Sequence, residues 1–281
     1  MPFFTVKKLK IRNLTPMHIQ QYINFKMETL SPNTIIKHLR NISKCLDSAV
    51  RQNLIAFNPV KRIDMPKKIK YTGAKYYNEK QIEQLLKCSK GDSIEIVILL
   101  TIFYGLRRSE ILGLKWDAID FENDTLIIRH TVTAFNGKAH KMGSTKNDSS
   151  NSVFHLPIMI RTELLNWRDK QLYYKELQPN DYIDENYICT HITGNLMSPN
   201  YVSNHFRKLL KRNNMPLIRF HDLRHSSASY LKHLGFDLKD IQTWLRHKDI
   251  QTTMNIYTHL DMQAKINIAD RLNDKFMKFA T

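Results

Sequence analysis

Three short stretches of this 281-residue chain set cations beside groups that could move protons or attack phosphorus. In Gly105-Leu106-Arg107-Arg108-Ser109-Glu110-Ile111-Leu112-Gly113-Leu114, two arginines and a glutamate follow a strongly apolar run, at the edge of a core. A guanidinium partly withdrawn from water needs an anion, because an unpaired charge is costly to desolvate. Arg107 and Glu110 can pair with each other across three residues of helix, or Glu110 can orient Arg107 toward a phosphate. In Phe220-His221-Asp222-Leu223-Arg224-His225 the same step puts the His221 imidazole and the Arg224 guanidinium side by side. The planar fork of arginine matches phosphate oxygens, and histidine exchanges protons near neutral pH. An isolated pair of this kind is more often a surface feature. The third stretch, Trp244-Leu245-Arg246-His247-Lys248-Asp249-Ile250-Gln251-Thr252-Thr253, leads to Ile256-Tyr257-Thr258-His259. A phenol of pKa about 10 becomes a usable nucleophile when neighbouring cations favour its ionised form, although most tyrosines are packing residues.

These side chains must be positioned by the elements around them. Thr15-Pro16 and Ser31-Pro32 each place a hydroxyl at an N-cap and proline at the first helical position, which predicts two helices, the first to about Leu30. In the second, Ile35, Leu39, Ile42, Leu46 and Ala49 form an apolar face opposite Lys37, Arg40, Lys44 and Arg51. From Asn58 to Tyr77 the pattern breaks at Pro59, Pro66, Gly73 and the run Lys67-Lys68-Ile69-Lys70, as in an extended basic linker. Asn78 with Gln81 predicts a capping box, and Ile94 to Gly105 reads as a buried helix. Alternation from Asp124 to Ala134, the turn signal Asn136-Gly137 and a strand over Ser152 to Ile158 predict a small antiparallel sheet. Helical spacing then returns. The expected architecture is mainly α with that small sheet: a helical domain with a basic face over 1–65, a basic linker over 66–75, and an α+β domain with a C-terminal tail over 76–281.

Composition narrows the partners. Lys and Arg outnumber Asp and Glu by 43 to 26, for a formal charge of +17, and such a surface repels itself unless a polyanion lies against it. Residues 1–75 hold 15 of those cations against Glu28, Asp47 and Asp64, so 12 of the 17 net charges sit there. Nucleic acid is the leading candidate partner, with an anionic membrane surface or plain solubility as the alternatives. Three distant cysteines, Cys45, Cys88 and Cys189, offer no paired spacing for zinc or a disulfide framework and point to a reducing cytoplasm. No stretch approaches the ~20 apolar residues of a membrane span, and no signal peptide is visible.

Taken in order, Gly-Leu-Arg-Arg-Ser-Glu, then His-Asp-Leu-Arg-His, then His247 with Tyr257 ten residues later, the set resembles the tyrosine recombinase (phage integrase) family from Leu14 onward. The resemblance is closest to integrases of phages and conjugative transposons of Gram-positive bacteria. It implies a site-specific recombinase in which two domains form a C-shaped clamp on double-stranded DNA, acting in integration or excision of a mobile element. It further implies that Arg107 and Arg224 clamp the scissile phosphate, with Glu110 supporting Arg107, and that Tyr257 attacks the phosphorus to give a 3′-phosphotyrosyl intermediate. His221 is the implied proton acceptor and His247 the implied hydrogen-bond donor to the phosphate. Lys146 matches the hairpin lysine that protonates the departing 5′-oxygen, with Lys138 and Lys141 in the same stretch. No metal or other cofactor is required. The partners implied are further copies of the chain, four on DNA, joined by a tail over Asp261 to Phe279, together with accessory DNA-bending or excision factors.

The chain departs from the family pattern where Arg246 replaces a frequent glycine, and where Asn151-Ser152-Val153-Phe154 lacks a frequent arginine. Many related integrases carry an additional amino-terminal arm-binding domain, and the stretch before Leu14 is too short to be one. Two rival readings remain at this point. A catalytically inactive DNA-binding regulator on the same fold would explain the charge, and a metal-dependent nuclease would draw on some of the 12 histidines, although none has a persuasive ligand spacing.

Overall fold

The computed structural model describes residues 9–69, 75–135, 138–142 and 152–246, and its contacts divide the chain into two compact units, residues 1–72 and 73–281. In the first unit, α1 (Pro16–Met27) and α2 (Pro32–Arg51) pack Ile19, Tyr22 and Ile23 against Ile35, Leu39, Leu46 and Val60. Proline stands at the start of each helix, and the Ser31 hydroxyl accepts from the Thr34 amide. The first helix stops at Met27, three residues short of the expected Leu30, and the Thr29 and Leu30 amides turn back to bond the Lys26 carbonyl. Lys37, Arg40, Lys44 and Arg51 are all exposed, so α2 presents the basic face that its periodicity predicts. The basic stretch after Pro66 is tied back to α2 at Ile69, whose amide and carbonyl both bond the Asn33 side chain (3.1 and 2.8 Å).

The second unit is built on α4 (Glu95–Tyr104), which is apolar on nearly every side and accordingly buried. Before it comes α3 (Glu79–Cys88), started by the expected reciprocal bonds of Asn78 and Gln81. After it come the short α5 (Arg108–Leu112), then α6 (Ile158–Leu177), α7 (Pro199–Arg212), α8 (Asp222–His233) and α9 (Leu238–Leu245). Trp244 fixes α9 against α4: its ring stacks on Tyr104 at 5.9 Å and its N–H donates to the Phe103 carbonyl at 3.2 Å. Beside this contact an apolar cavity of about 1100 Å³ is lined by Leu99, Phe103, Met159, Tyr230, Leu234 and Trp244 among others.

Two antiparallel sheets stand where one was expected. Strands β1 (Ile119–Asp120), β2 (Thr125–Ile128) and β5 (Ser152–His155) form a three-stranded sheet in the order β1-β2-β5, with Leu126 opposite Phe154. Strands β3 (Thr131–Phe135) and β4 (Lys138–Met142) pair separately, with Thr133 opposite His140. The apolar alternation from Leu126 to Val132 runs straight through the break at Arg129-His130, because both strands bury alternate residues while changing partners. The strand expected over Ser152 to Ile158 ends at His155, and Pro157 begins α6 instead. The architecture is therefore mainly helical with small antiparallel sheets. No described helix is long and apolar enough to cross a membrane.

Candidate active site

Gly105 closes α4 in the left-handed region (φ 61°, ψ 29°), which disfavours any residue with a Cβ. A Cβ here would also collide with the Leu245 side chain, so α4 and α9 can meet this closely only at glycine. The reversal delivers Arg107 to the N-cap of α5. The Arg107 amide donates to Glu110 Oε2 (2.9 Å) and its Nη1 to Oε1 (2.8 Å), a reciprocal arrangement in which the glutamate holds both the main chain and the side chain of the arginine. The two residues were expected to share a helix face; instead the arginine stands at the N-cap position and the glutamate reaches back to its amide.

Glu110 is 7% exposed and has a second partner, Arg246, whose Nη2 lies 2.6 Å from Oε2. Burial pushes the Glu110 carboxyl up, but the Arg246 charge, the Arg107 amide and the Arg107 guanidinium together outweigh it and hold the group below its ordinary value of 4.5. A depressed carboxyl stabilises the folded state fully above its unfolded pKa and ceases to do so as pH falls through the folded one. The stability gap between the wild type and Glu110→Gln, read from urea unfolding, should therefore be constant above about pH 4.5 and shrink below it. A gap that stays level down to pH 3 would mean that the carboxylate is not held by these cations.

Arg224, three residues into α8, is only 2% exposed rather than at the surface. Its guanidinium donates to the carbonyls of Gly105 and Leu245, joining the ends of α4 and α9. Burial first, then the Arg107 charge, press its pKa down to about 9; Glu110 opposes the fall and Arg246 adds to it. The group remains a cation at neutral pH. Asp222, also buried, accepts from the Arg219 amide (2.9 Å), Nε (3.1 Å) and Nη2 (2.8 Å), which fixes the first turn of α8. His221 stands at the open N-cap of that helix, with the His225 ring edge-on at 5.5 Å. Crowding by packed atoms and then the Arg224 charge depress its pKa, against a smaller opposing effect of Asp222, so the ring is neutral and free to accept a proton at neutral pH.

Arg107, Glu110, His221 and Arg224 are thus gathered from two separate stretches of chain into one basic corner. Lys146, His247 and Tyr257 lie outside the described residues. Arg246 and Asp222 joined the corner without having been singled out for it. Asp222 carried a signal, an acidic residue at the first position of a helix and three residues after Arg219, whereas the direction of the Arg246 side chain depends on a backbone conformation that spacing does not encode. Among the described residues no group of three or more His, Cys, Asp or Glu is arranged to hold a metal ion.

Residues 75–264 match the profile described as the phage integrase family, and residues 3–70 match the phage integrase SAM-like domain. This chain belongs to the phage integrase family. The recombinase is 30% identical to a XerC-like tyrosine recombinase of Caldanaerobacter subterraneus subsp. tengcongensis, over 96% of this chain and 73% of that one. It is 26% identical to the ICEBs1 integrase of Bacillus subtilis, over 95% of this chain and 73% of the relative. Among solved structures, the Tn1549 transposon integrase in complex with transposon right-end DNA superposes with a TM-score of 0.75 at 20% identity, covering 94% of this chain and 87% of that one. The integrase is accordingly a site-specific DNA recombinase of the tyrosine class, with relatives in phages and in mobile elements of Gram-positive bacteria. That membership leaves the inactive-regulator reading unfavoured.

Proposed function

We propose that this recombinase cuts and rejoins double-stranded DNA with Tyr257 as nucleophile. The phenolic oxygen forms a bond to the scissile phosphorus while the bond from phosphorus to the 5′-oxygen breaks. His221 takes the phenolic proton, and Lys146 gives one to the departing 5′-oxygen. Arg107 and Arg224 hold the non-bridging oxygens, His247 adds a hydrogen bond, and Glu110 positions Arg107. What supports the reading is the convergence of the Arg107 and Arg224 guanidiniums in a corner where Glu110 is the carboxylate that pairs with Arg107. Such an excess of fixed positive charge suits the charge that builds up on phosphorus-bound oxygens during transfer. The phosphotyrosyl bond retains the energy of the broken one, so a 5′-hydroxyl from another strand can reverse the step without ATP or a metal.

The exposed face of Lys37, Arg40, Lys44 and Arg51 on α2 suits the DNA backbone, in a helical domain over 1–65 joined through 66–75 to a catalytic domain over 76–281. Exchange between two duplexes needs four strands cut, hence four copies of a chain that offers one nucleophile. The apolar cavity beside Trp244 is a fitting seat for Ile266, Ile268, Leu272 and Phe276 of a neighbouring copy's tail. Integration or excision of a mobile element in the cytoplasm, aided by DNA-bending or excision factors, is the biological setting proposed.

The test is a duplex selected for binding from a randomised pool, nicked near the cut position and incubated with the protein. Denaturing electrophoresis should show a protein–DNA adduct that persists in EDTA and is absent for Tyr257→Phe. Binding without any adduct would support the inactive regulator, and cleavage that EDTA stops would support the nuclease.

A further inference from the structure

Arg246 ends α9 with φ 55° and ψ 46°, a left-handed conformation that the Cβ of an arginine disfavours. Its side chain is nonetheless well held. It is 17% exposed, its guanidinium lies 5.3 Å from the centroid of the Phe154 ring, and its Nη2 takes Glu110 Oε2 at 2.6 Å. The residue before it, Leu245, offers its carbonyl to Arg224. One carboxylate is therefore divided: Oε1 serves the Arg107 guanidinium, while Oε2 serves the Arg107 amide and Arg246. The Nε of Arg246 is buried and has no hydrogen-bond partner among the described residues.

This division matters for the anion that the corner is built to meet. A carboxylate paired with Arg107 alone would cancel most of that arginine's field at the phosphate. Shared with a second guanidinium, it still fixes the geometry of Arg107 while cancelling less of its charge. We propose that Arg246 is a positioning residue for recombination, which anchors Glu110 and leaves Arg107 more of its charge for the scissile phosphate. The proposal rests on the phosphate-clamp reading above and extends it to a residue outside the set carried over from the family.

The tests are Arg246→Gly, which suits the left-handed backbone, and Arg246→Lys, which keeps the charge. On the nicked duplex at saturating protein, Arg246→Gly should form adduct about tenfold more slowly with DNA affinity within about twofold, and Arg246→Lys should recover part of the rate. In a Glu110→Gln background, Arg246→Gly should add less than about twofold, because the group through which it acts is already gone. Equal slowing in both backgrounds, or an unslowed Arg246→Gly, overturns the inference. A second measurement needs no catalysis. Glu110 is faced by Arg107, Arg224 and Arg246, so losing Arg246 should raise its pKa and move the acid loss of stability in urea unfolding to higher pH. An unmoved acid limb also overturns the inference. Absence of any adduct from the wild type would instead sink the Tyr257 reading, and the acid limb would still decide the role of Arg246.

Discussion

Arg224→Ala is expected to reduce adduct formation by a factor of about 1000 or more and to lower the unfolding free energy by about 3 kcal/mol. Both effects follow from one side chain with two duties. Its guanidinium is the deepest cation of the basic corner, and the same group satisfies the carbonyls of Gly105 and Leu245. Alanine would leave both acceptors without that donor at a buried position, each at a cost of roughly 1–3 kcal/mol, offset in part because a desolvated charge is also removed. Arg224→Lys separates the duties. Lysine retains the charge but cannot fork between two carbonyls, so stability should fall by about 1–2 kcal/mol while adduct formation still drops on the order of a hundredfold. Urea unfolding and the nicked-duplex assay, run on both variants, check this. An Arg224→Ala protein as stable as the wild type would show that the two carbonyls find other donors.

The second large effect is expected at Gly113, where the cost is steric rather than electrostatic. Gly113 closes α5 with ordinary helical angles (φ −84°), so its absent side chain, not its backbone freedom, is what the fold uses. A Cβ would collide with the His130 carbonyl, lying 2.6 Å from its carbon and 2.7 Å from the Thr131 Cα. These are backbone atoms leading into β3, and they cannot swing aside as a side-chain tip can. Gly113→Ala should therefore destabilise the second unit by about 3 kcal/mol or more and, by pushing α5 away, disturb Arg107 and Glu110 together. Gly91→Ala is the control: its φ is 75° but nothing lies within 4 Å of the added Cβ, so it should cost only about 1 kcal/mol. Equal losses for the two variants, measured by thermal unfolding, would rule out the steric account.

How much of this was legible in the sequence depends on whether the deciding interaction is local. Caps such as Ser31 with Thr34 and Asn78 with Gln81 act within one turn, and they are found where the residue types placed them. The three-residue step from Arg107 to Glu110 was equally readable, since a side chain and an amide so near in sequence have few other ways to meet. Spacing could not say what covers a residue. Arg224 is buried because the ends of α4 and α9 close over it, and those lie 119 and 21 residues away. Nor could it say where Arg246 points, because that direction is set by a left-handed backbone and a partner 136 residues distant. The division into two sheets was hidden for a related reason: alternation reports which face is buried, not which neighbour a strand takes.

The clamp at Arg224 also bears on when the enzyme becomes dangerous. Its two carbonyls belong to residues 105 and 245, so the arginine is seated only after residue 245 has left the ribosome and the chain has folded back on itself. A product interrupted before residue 245 would carry the exposed basic face of α2 without a seated Arg224. Assembly of the basic corner is thereby made contingent on synthesis reaching residue 245.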